Sequence, residues 1–202
     1  MFDSNLAYKE NYIYYMDKIK QIDLDQLAPK LGIENNNIRT VSVYNKKFII
    51  TEQGFTDLEE KEPPYEICII LAKYILMCPD STPTGKDWVP FRGFKDSGPL
   101  AGYISNDIEK RINQMFSGKT DTLKRVAQKM GGYTPDISAA YDVIICFDAM
   151  PKVPVILLFN DGDEEFDAQV KLLFEQRTEK YLDVECIAIL CHLLCQELKH
   201  NI

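Results

Sequence analysis

The fold is organised around residues 153–166, which read Val-Pro-Val-Ile-Leu-Leu-Phe-Asn-Asp-Gly-Asp-Glu-Glu-Phe. Five uninterrupted apolar residues, Val155 to Phe159, run directly into a turn that carries four carboxylates. An apolar run of this length, begun by a proline and ended by Asp-Gly, is typical of a short strand covered on both faces. We therefore expect this strand to lie at the centre of the core.

Two other segments have strand character. Residues 141–147 form an apolar run that a short link joins to the central strand, so these two strands should pair antiparallel. Residues 38–51 show a β-type pattern on both sides of a polar turn at 44–47, which predicts a hairpin. After the acidic turn, helical spacing predicts an amphipathic helix through Phe166, Val170, Leu173 and Phe174.

Helical periodicity and capping residues account for most of the remaining chain. They predict helices over residues 4–20, from Asp23, and over 65–78, 105–116, 120–130 and 184–198. The helix at 65–78 is apolar nearly all round, so it should be buried on most sides and pack on the central strand. The last helix has a wide apolar face, which indicates either burial or a subunit contact.

These elements predict one α+β domain over residues 1–202. We expect a small mixed or antiparallel sheet, made of two hairpins and packed against several helices. Residues 1–34 would supply N-terminal helices and residues 35–198 the main body. With 202 residues, 46% of them hydrophobic, the chain can bury a sizeable core without disulfides or metals.

Charge and hydropathy exclude several classes of partner. The acidic net charge of -8 repels nucleic acid and anionic lipid. Residues 105–130 resemble a helix-turn-helix, but their local excess of basic residues is too small to favour DNA. The longest apolar stretch, 67–78, contains Lys73 and is too short to span a membrane. The first residues lack a secretion signal, so we predict a cytoplasmic protein whose six cysteines are reduced thiols.

Residues 79–104 are the most irregular part of the chain, because prolines and glycines forbid a long helix there. Irregular segments of this length are uncommon in compact domains and are either functional or disordered. Three large aromatic residues within seven positions favour order. We therefore predict a binding site on the aromatic loop 83–104, with Trp88, Phe91 and Arg92 as candidate residues. Arg92 could grip a carboxylate or phosphate in two-point fashion, but we prefer an ion pair with the acidic turn.

The acidic turn 160–167 supplies the other candidate residues, which are Asp161, Asp163, Glu164 and Glu165. Their oxygens could bind Mg²⁺ or Ca²⁺ at the end of a strand. The EF-hand spacing fails, and acidic residues are also favoured in the first turn of a helix by its dipole. We prefer this structural explanation, so no cofactor is predicted and a divalent cation is kept as an alternative.

The cysteines do not form a recognisable metal motif. Cys186, Cys191 and Cys195 lie with His192 on the last helix, where they could hold zinc or an iron–sulfur cluster. No Cys-x-x-Cys pair exists and the neighbours are apolar, so we expect buried thiols and no cluster. Residues 84–86 lack the upstream glycine of a phosphate-binding loop, and no Gly-x-Ser-x-Gly elbow is present.

Two functions remain open. The first is a non-catalytic cytoplasmic binding or accessory domain, in which loop 83–104 and turn 160–167 form a groove for a small molecule or a protein. The second is a metal-dependent enzyme that uses carboxylates of the turn, with Arg92 steadying an anionic substrate. A homo-oligomer through the last helix is compatible with either.

Two motifs together resemble a known family. Residues 83–92 read Pro-Thr-Gly-Lys-Asp-Trp-Val-Pro-Phe-Arg and follow an apolar helix; residues 153–166 are followed by Leu173-Phe174 and Tyr181-Leu182. The chain thereby resembles the bacterial and archaeal family called domain of unknown function 3786, over about residues 35 to 195. The resemblance implies a stand-alone cytoplasmic domain and an anaerobic host. Some members are described as iron–sulfur proteins because of extra cysteine-rich segments. This chain has no such segment, so the resemblance does not imply a cluster here. The family has no established catalytic residues that could be assigned to this chain.

Overall fold

A computed structural model describes the backbone of residues 4–85 and 87–202. Side chains are described for residues 9–85 and 87–202, so the first residues of the predicted opening helix and Lys86 lie partly or wholly outside the described residues. The helices are α1 (Ser4–Ile19), α2 (Leu24–Leu31), α3 (Tyr65–Leu76), α4 (Gly98–Tyr103), α5 (Lys110–Phe116), α6 (Thr120–Lys129) and α7 (Val184–His200). A π-helical turn, Ile104–Glu109, joins α4 to α5, and two 3₁₀ turns occupy Phe91–Gly93 and Gln176–Lys180.

The strands form two small antiparallel sheets. They are β1 (Glu34–Asn36), β2 (Ile38–Val43), β3 (Lys46–Ile50), β4 (Phe55–Thr56), β5 (Trp88–Pro90), β6 (Val143–Met150), β7 (Val153–Asn160) and β8 (Gln169–Glu175). The first sheet has the order β1-β2-β3-β4, and the second has the order β5-β8-β7-β6. The predicted α+β class with antiparallel hairpins is confirmed, although the hairpins lie in two sheets.

The predicted central strand is β7, which lies between β6 and β8. Ile156 and Leu157, on opposite faces, are both fully buried. Leu157 belongs to the main core, whereas Ile156 belongs to a second cluster with Cys146 and Leu158 on the other face. Burial on both faces explains the uninterrupted apolar run.

The predicted helix after the acidic turn is wrong, because residues 169–175 form strand β8. Val170, Leu172 and Phe174 point into the core while Lys171 stays exposed, which is the alternation of a strand. The same residues also fit a helical spacing. Pairing with β7 selects the strand over the helix. Without β8, the backbone N–H and C=O groups along one side of the buried strand β7 would lack hydrogen-bond partners.

The predicted hairpin of residues 38–51 is confirmed as β2 and β3. Its turn residues, Tyr44 and Asn45, have φ angles of +46° and +65°, the left-handed pair found in tight hairpin turns. The buried Tyr44 hydroxyl donates a hydrogen bond of 2.8 Å to the carbonyl of Leu190 on α7. The hairpin turn is therefore attached to the last helix.

Helix α7 runs through the centre of the helical layer, in contact with α3, α5 and α6. Most of its apolar residues are buried inside the chain, which accounts for the wide apolar face, while Val184, Ile189 and Leu193 are half-buried. A homo-oligomer through this helix stays a prediction. Helix α3 was expected to pack on the central strand. Its main neighbours are instead the helices α1 and α7.

The π-helical turn covers an edge of the second sheet. The buried carboxylate of Glu109 accepts hydrogen bonds from the backbone N–H of Leu172 (2.9 Å) and from the Lys171 ammonium (3.2 Å). Strand β5 pairs with β8 only at residues 173–175, so Glu109 satisfies a donor of β8 beyond that pairing. In the described residues, no helix is both long and apolar enough to cross a lipid bilayer.

Candidate functional site

The candidate site is a cleft between helices α1, α3, α4 and the beginning of α7. Its volume is about 660 Å³, within the range of small-molecule pockets in proteins. The four helices that form it come from distant parts of the chain, and α7 is the central one. The cleft combines an apolar floor with a polar rim.

The floor is made of aliphatic side chains from three helices. They are Ile69 of α3, Leu100 of α4, and Val184, Ala188 and Ile189 of α7. Ala188 is buried and the others are half-buried. Val184 and Ala188 are four residues apart and so lie on one face of α7. This floor offers contact to an apolar body.

The rim is mostly acidic. Glu66, Asp96 and Glu185 are exposed, and none of the three forms an ion pair within the described part of the chain. With Asp183, four carboxylates of the described lining residues face the one ammonium of Lys73, a net charge of -3 for these residues. The local field therefore favours positive charge.

An ion pair closes one side of the cleft, where Lys73 Nζ lies 2.9 Å from Asp183 Oδ2. The side chains are 27% and 33% exposed. Asp183 is also the N-cap of α7, because its Oδ1 accepts a 2.9 Å hydrogen bond from the backbone N–H of Cys186. The Lys73 ammonium lies 5.1 Å from the centre of the Tyr15 ring, within reach of its π face.

Both members of this pair stay charged. Burial acts to lower the pKa of Lys73, but the hydrogen bond and charge of Asp183 outweigh it and raise that pKa. Burial acts to raise the pKa of Asp183, but the Cys186 N–H and the Lys73 ammonium lower it overall. Each charge is thus neutralised by its partner.

A hydrogen-bonded trio lies beside the floor. Tyr103 Oη is 2.7 Å from His192 Nδ1, and Gln196 Nε2 is 2.7 Å from His192 Nε2. Each ring nitrogen of His192 therefore has a polar partner, and the tautomer of the ring sets which partner donates. Burial raises the pKa of Tyr103, so this hydroxyl keeps its proton.

Tyr103 owes its position to an irregularity of the backbone. It is the last residue of α4, directly before the π-helical turn Ile104–Glu109. Such turns shift the helical register by one residue and occur frequently at functional sites. Here the turn allows α4 to present Tyr103 to His192 while Glu109 faces the sheet.

Comparison with known families agrees with the resemblance seen in the sequence. The family described as "Domain of unknown function (DUF3786)" matches residues 23–197. The chain belongs to this family. No curated protein and no solved structure matches the chain. The DUF3786 match covers the α3, α4 and α7 walls of the cleft, whereas Asn11 and Tyr15 of α1 lie outside it.

The aromatic residues predicted for a groove have packing contacts in this DUF3786 chain. Phe91 is 3% exposed and lies edge-on to Phe94 and Phe174 in the main core. Trp88 is half-buried and packs against the outer-face cluster of the second sheet, which consists of Cys146, Ile156 and Leu158. Arg92 is exposed and makes no ion pair in the described residues, so its predicted ion pair with the acidic turn is wrong.

The carboxylates of the acidic turn hold local backbone. Asp161 accepts hydrogen bonds from the Gly118 N–H (2.8 Å) and the Thr120 hydroxyl (2.9 Å), which join the turn to the start of α6. Asp163 accepts two 2.8 Å bonds from the next backbone N–H groups of its own turn. These backbone bonds lower the pKa of both carboxyls. Glu164 and Glu165 are exposed.

The sheet register separates the two parts of the predicted groove. Trp88 pairs opposite Glu175, at one end of β8, and the acidic turn joins β8 at Gln169. Six residues of strand separate these positions, or about 20 Å. Binding by these residues stays a prediction, but the structure does not place Trp88 beside the turn. Among residues 4–85 and 87–202, no three His, Cys, Asp or Glu side chains are grouped to hold a metal ion.

The cleft differs from the groove that the sequence predicts. The predicted loop 83–104 does line it, but through Asp96, Pro99, Leu100 and Tyr103. His192 lines the cleft as a hydrogen-bonding residue and not as the metal ligand that its cysteine neighbours suggest. Lys73 interrupts an apolar run, and a charged residue in a buried helix needs a partner, so Lys73 is a signal in its own right.

Proposed function

We propose that this protein is a non-catalytic binding domain whose ligand is a small molecule held in the cleft between α1, α3, α4 and α7. The observation that carries this proposal is the combination of an apolar floor with converging polar groups in a concavity of about 660 Å³. Small-molecule sites have this composition and size.

The pairing of the polar groups favours binding over catalysis. Lys73 and Asp183 neutralise each other, and both ring nitrogens of His192 already have hydrogen-bond partners. Engaged in this way, Lys73 and His192 are better placed to hold a ligand than to move its protons. The hydroxyl of Tyr103 and the exposed carboxylates are suited to orienting a ligand.

A cytoplasmic location and an anaerobic host are part of the proposal. The six cysteines are free thiols, which suits a reducing compartment. The anaerobic host rests on the family resemblance alone.

Saturable binding of Nile red, a neutral apolar dye, tests the proposal. Fluorescence titration of the full chain should show one site, and Leu100→Glu should abolish it by placing a charge on the floor. Leu58→Glu is the matched control, because Leu58 is 62% exposed and lies outside the cleft. Circular dichroism and melting curves verify that both variants fold. Absence of saturable binding, or equal binding by Leu100→Glu, would overturn the proposal.

A further inference from the structure

We infer that the ligand of the cleft is an organic cation, a protonated amine carried on an apolar chain or ring. The inference rests on the proposed binding function and specifies the ligand class. It follows from the charges around the floor: carboxylates that form no ion pair among the described residues surround the opening, whereas the ammonium of Lys73 is already paired with Asp183.

Among the described lining residues Lys73 is the one cation of the cleft, and it is not freely available to an anionic ligand. The Lys73 ammonium is 2.9 Å from Asp183 and also faces the Tyr15 ring, so its charge is already neutralised and an anion would have to compete with Asp183 for it. Asp183 is held in turn as the N-cap of α7. An anionic head group would therefore meet a neutralised pair and repulsive carboxylates.

A cationic head group meets the opposite situation. Glu66, Asp96 and Glu185 stand on three different elements around the opening, exposed and without an ion pair among the described residues. An ammonium at the rim can reach these carboxylates while its apolar body covers Ile69 and Leu100 below. The net charge of -8 adds long-range attraction for cations.

The apolar floor also separates this class from small inorganic cations. Ile69, Leu100, Val184, Ala188 and Ile189 supply no oxygen ligand, so a bare metal ion gains nothing from them. An amine with an aliphatic or aromatic body uses both the floor and the rim. Its affinity should fall with added salt, since the carboxylates are exposed.

Three ligands of equal chain length test the inference: octylammonium, octanol and octanoate at pH 7.5, with the two ionic ligands below their micelle concentrations and octanol below its solubility limit. Competition with Nile red measures their affinities for the full chain. Octylammonium should bind at least about fivefold more tightly than octanol, the preference expected from two or three exposed ion pairs. Octanoate should bind most weakly.

Charge-neutral variants locate the source of the preference. Glu66→Gln combined with Glu185→Gln should remove most of the preference for octylammonium and leave octanol binding unchanged. The matched control combines Asp121→Asn with Asp136→Asn, two exposed carboxylates outside the cleft whose loss changes the net charge equally.

The outcomes separate the two proposals. Equal affinity for octylammonium and octanol overturns the cation inference and leaves the binding function standing. An equal loss of the octylammonium preference in the control variant also overturns the cation inference, because the preference would then come from the total charge of the protein. Failure of Nile red and all three ligands to bind refutes the proposed function itself.

Discussion

Asp183 performs two separable tasks, and substitutions at this residue can measure each of them. Its carboxylate caps α7 through the Cys186 N–H and pairs with the Lys73 ammonium. Asparagine is also a good N-cap, so Asp183→Asn keeps the cap and removes only the charge. Asp183→Ala removes both.

The expected magnitudes follow from the exposure of the pair. At 27% and 33% exposure the ion pair is partly screened, so we place its contribution at the upper end for surface pairs, about 1 kcal/mol. Loss of an N-cap costs about 1 kcal/mol more. Asp183→Asn should therefore lower the melting temperature by about 2–4 °C and Asp183→Ala by about 4–8 °C, the scaling for a domain of this size.

The pH dependence gives an independent measurement. The pKa of Asp183 is lowered in the folded state, so its stabilising charge is fully present above the unfolded carboxyl pKa of about 3.9. That contribution is lost as the pH falls through the lower, folded pKa. The pKa of Lys73 is raised, so its contribution is present at neutral pH and is lost only in strong alkali.

Urea unfolding of the wild type and both variants at pH 7, 5 and 3 is the appropriate assay. The difference in unfolding free energy between wild type and Asp183→Asn should be constant from pH 7 to 5 and should shrink at pH 3. Asp121→Asn, an exposed first-turn carboxylate of α6, is the control. Equal losses for Asn and Ala, or a difference that persists undiminished at pH 3, would refute the dual role.

Two further substitutions test the residues that the sequence proposed for a groove. Trp88→Ala should destabilise the fold by about 2 kcal/mol, since a half-buried ring leaves the outer-face cluster, and should leave Nile red binding in the cleft intact. If Trp88→Ala keeps normal stability but loses dye binding, Trp88 belongs to a binding site, as the sequence predicts. Asp161→Asn should lower stability by about 1 kcal/mol, because a charged acceptor for the Gly118 N–H and the Thr120 hydroxyl is weakened. Exposed Glu164→Gln should change the melting temperature by less than a degree, and equal shifts would contradict this role of Asp161.

The central strand could be predicted from the sequence because its cause is local. A strand covered on both faces must be apolar at every position, and residues 155–159 satisfy that condition without help from the rest of the chain. Strand β8 could not be predicted in the same way. Val170, Leu172 and Phe174 fit a strand, while Val170, Leu173 and Phe174 fit a helix, and only the neighbouring β7 selects the strand.

The cleft could not be predicted because its parts are distant in sequence. Ile69, Leu100 and Ile189 become neighbours only when α3, α4 and α7 pack together. No short sequence motif predicts that arrangement. The aromatic residues of the irregular loop pack against the two apolar clusters, and its later, less conspicuous residues line the cleft.

Lys73 is nevertheless a local signal for the site. A lysine within an otherwise buried helix must either reach water or meet an opposite charge, because burial of an unpaired ammonium is costly. Asp183 precedes another largely apolar helix and has the character of an N-cap. Such acidic caps are fixed in position, which makes them suitable partners for a lysine. The Lys73–Asp183 pair joins α3 to α7 at the cleft, so the residue that interrupts the apolar pattern is one that lines the candidate cleft.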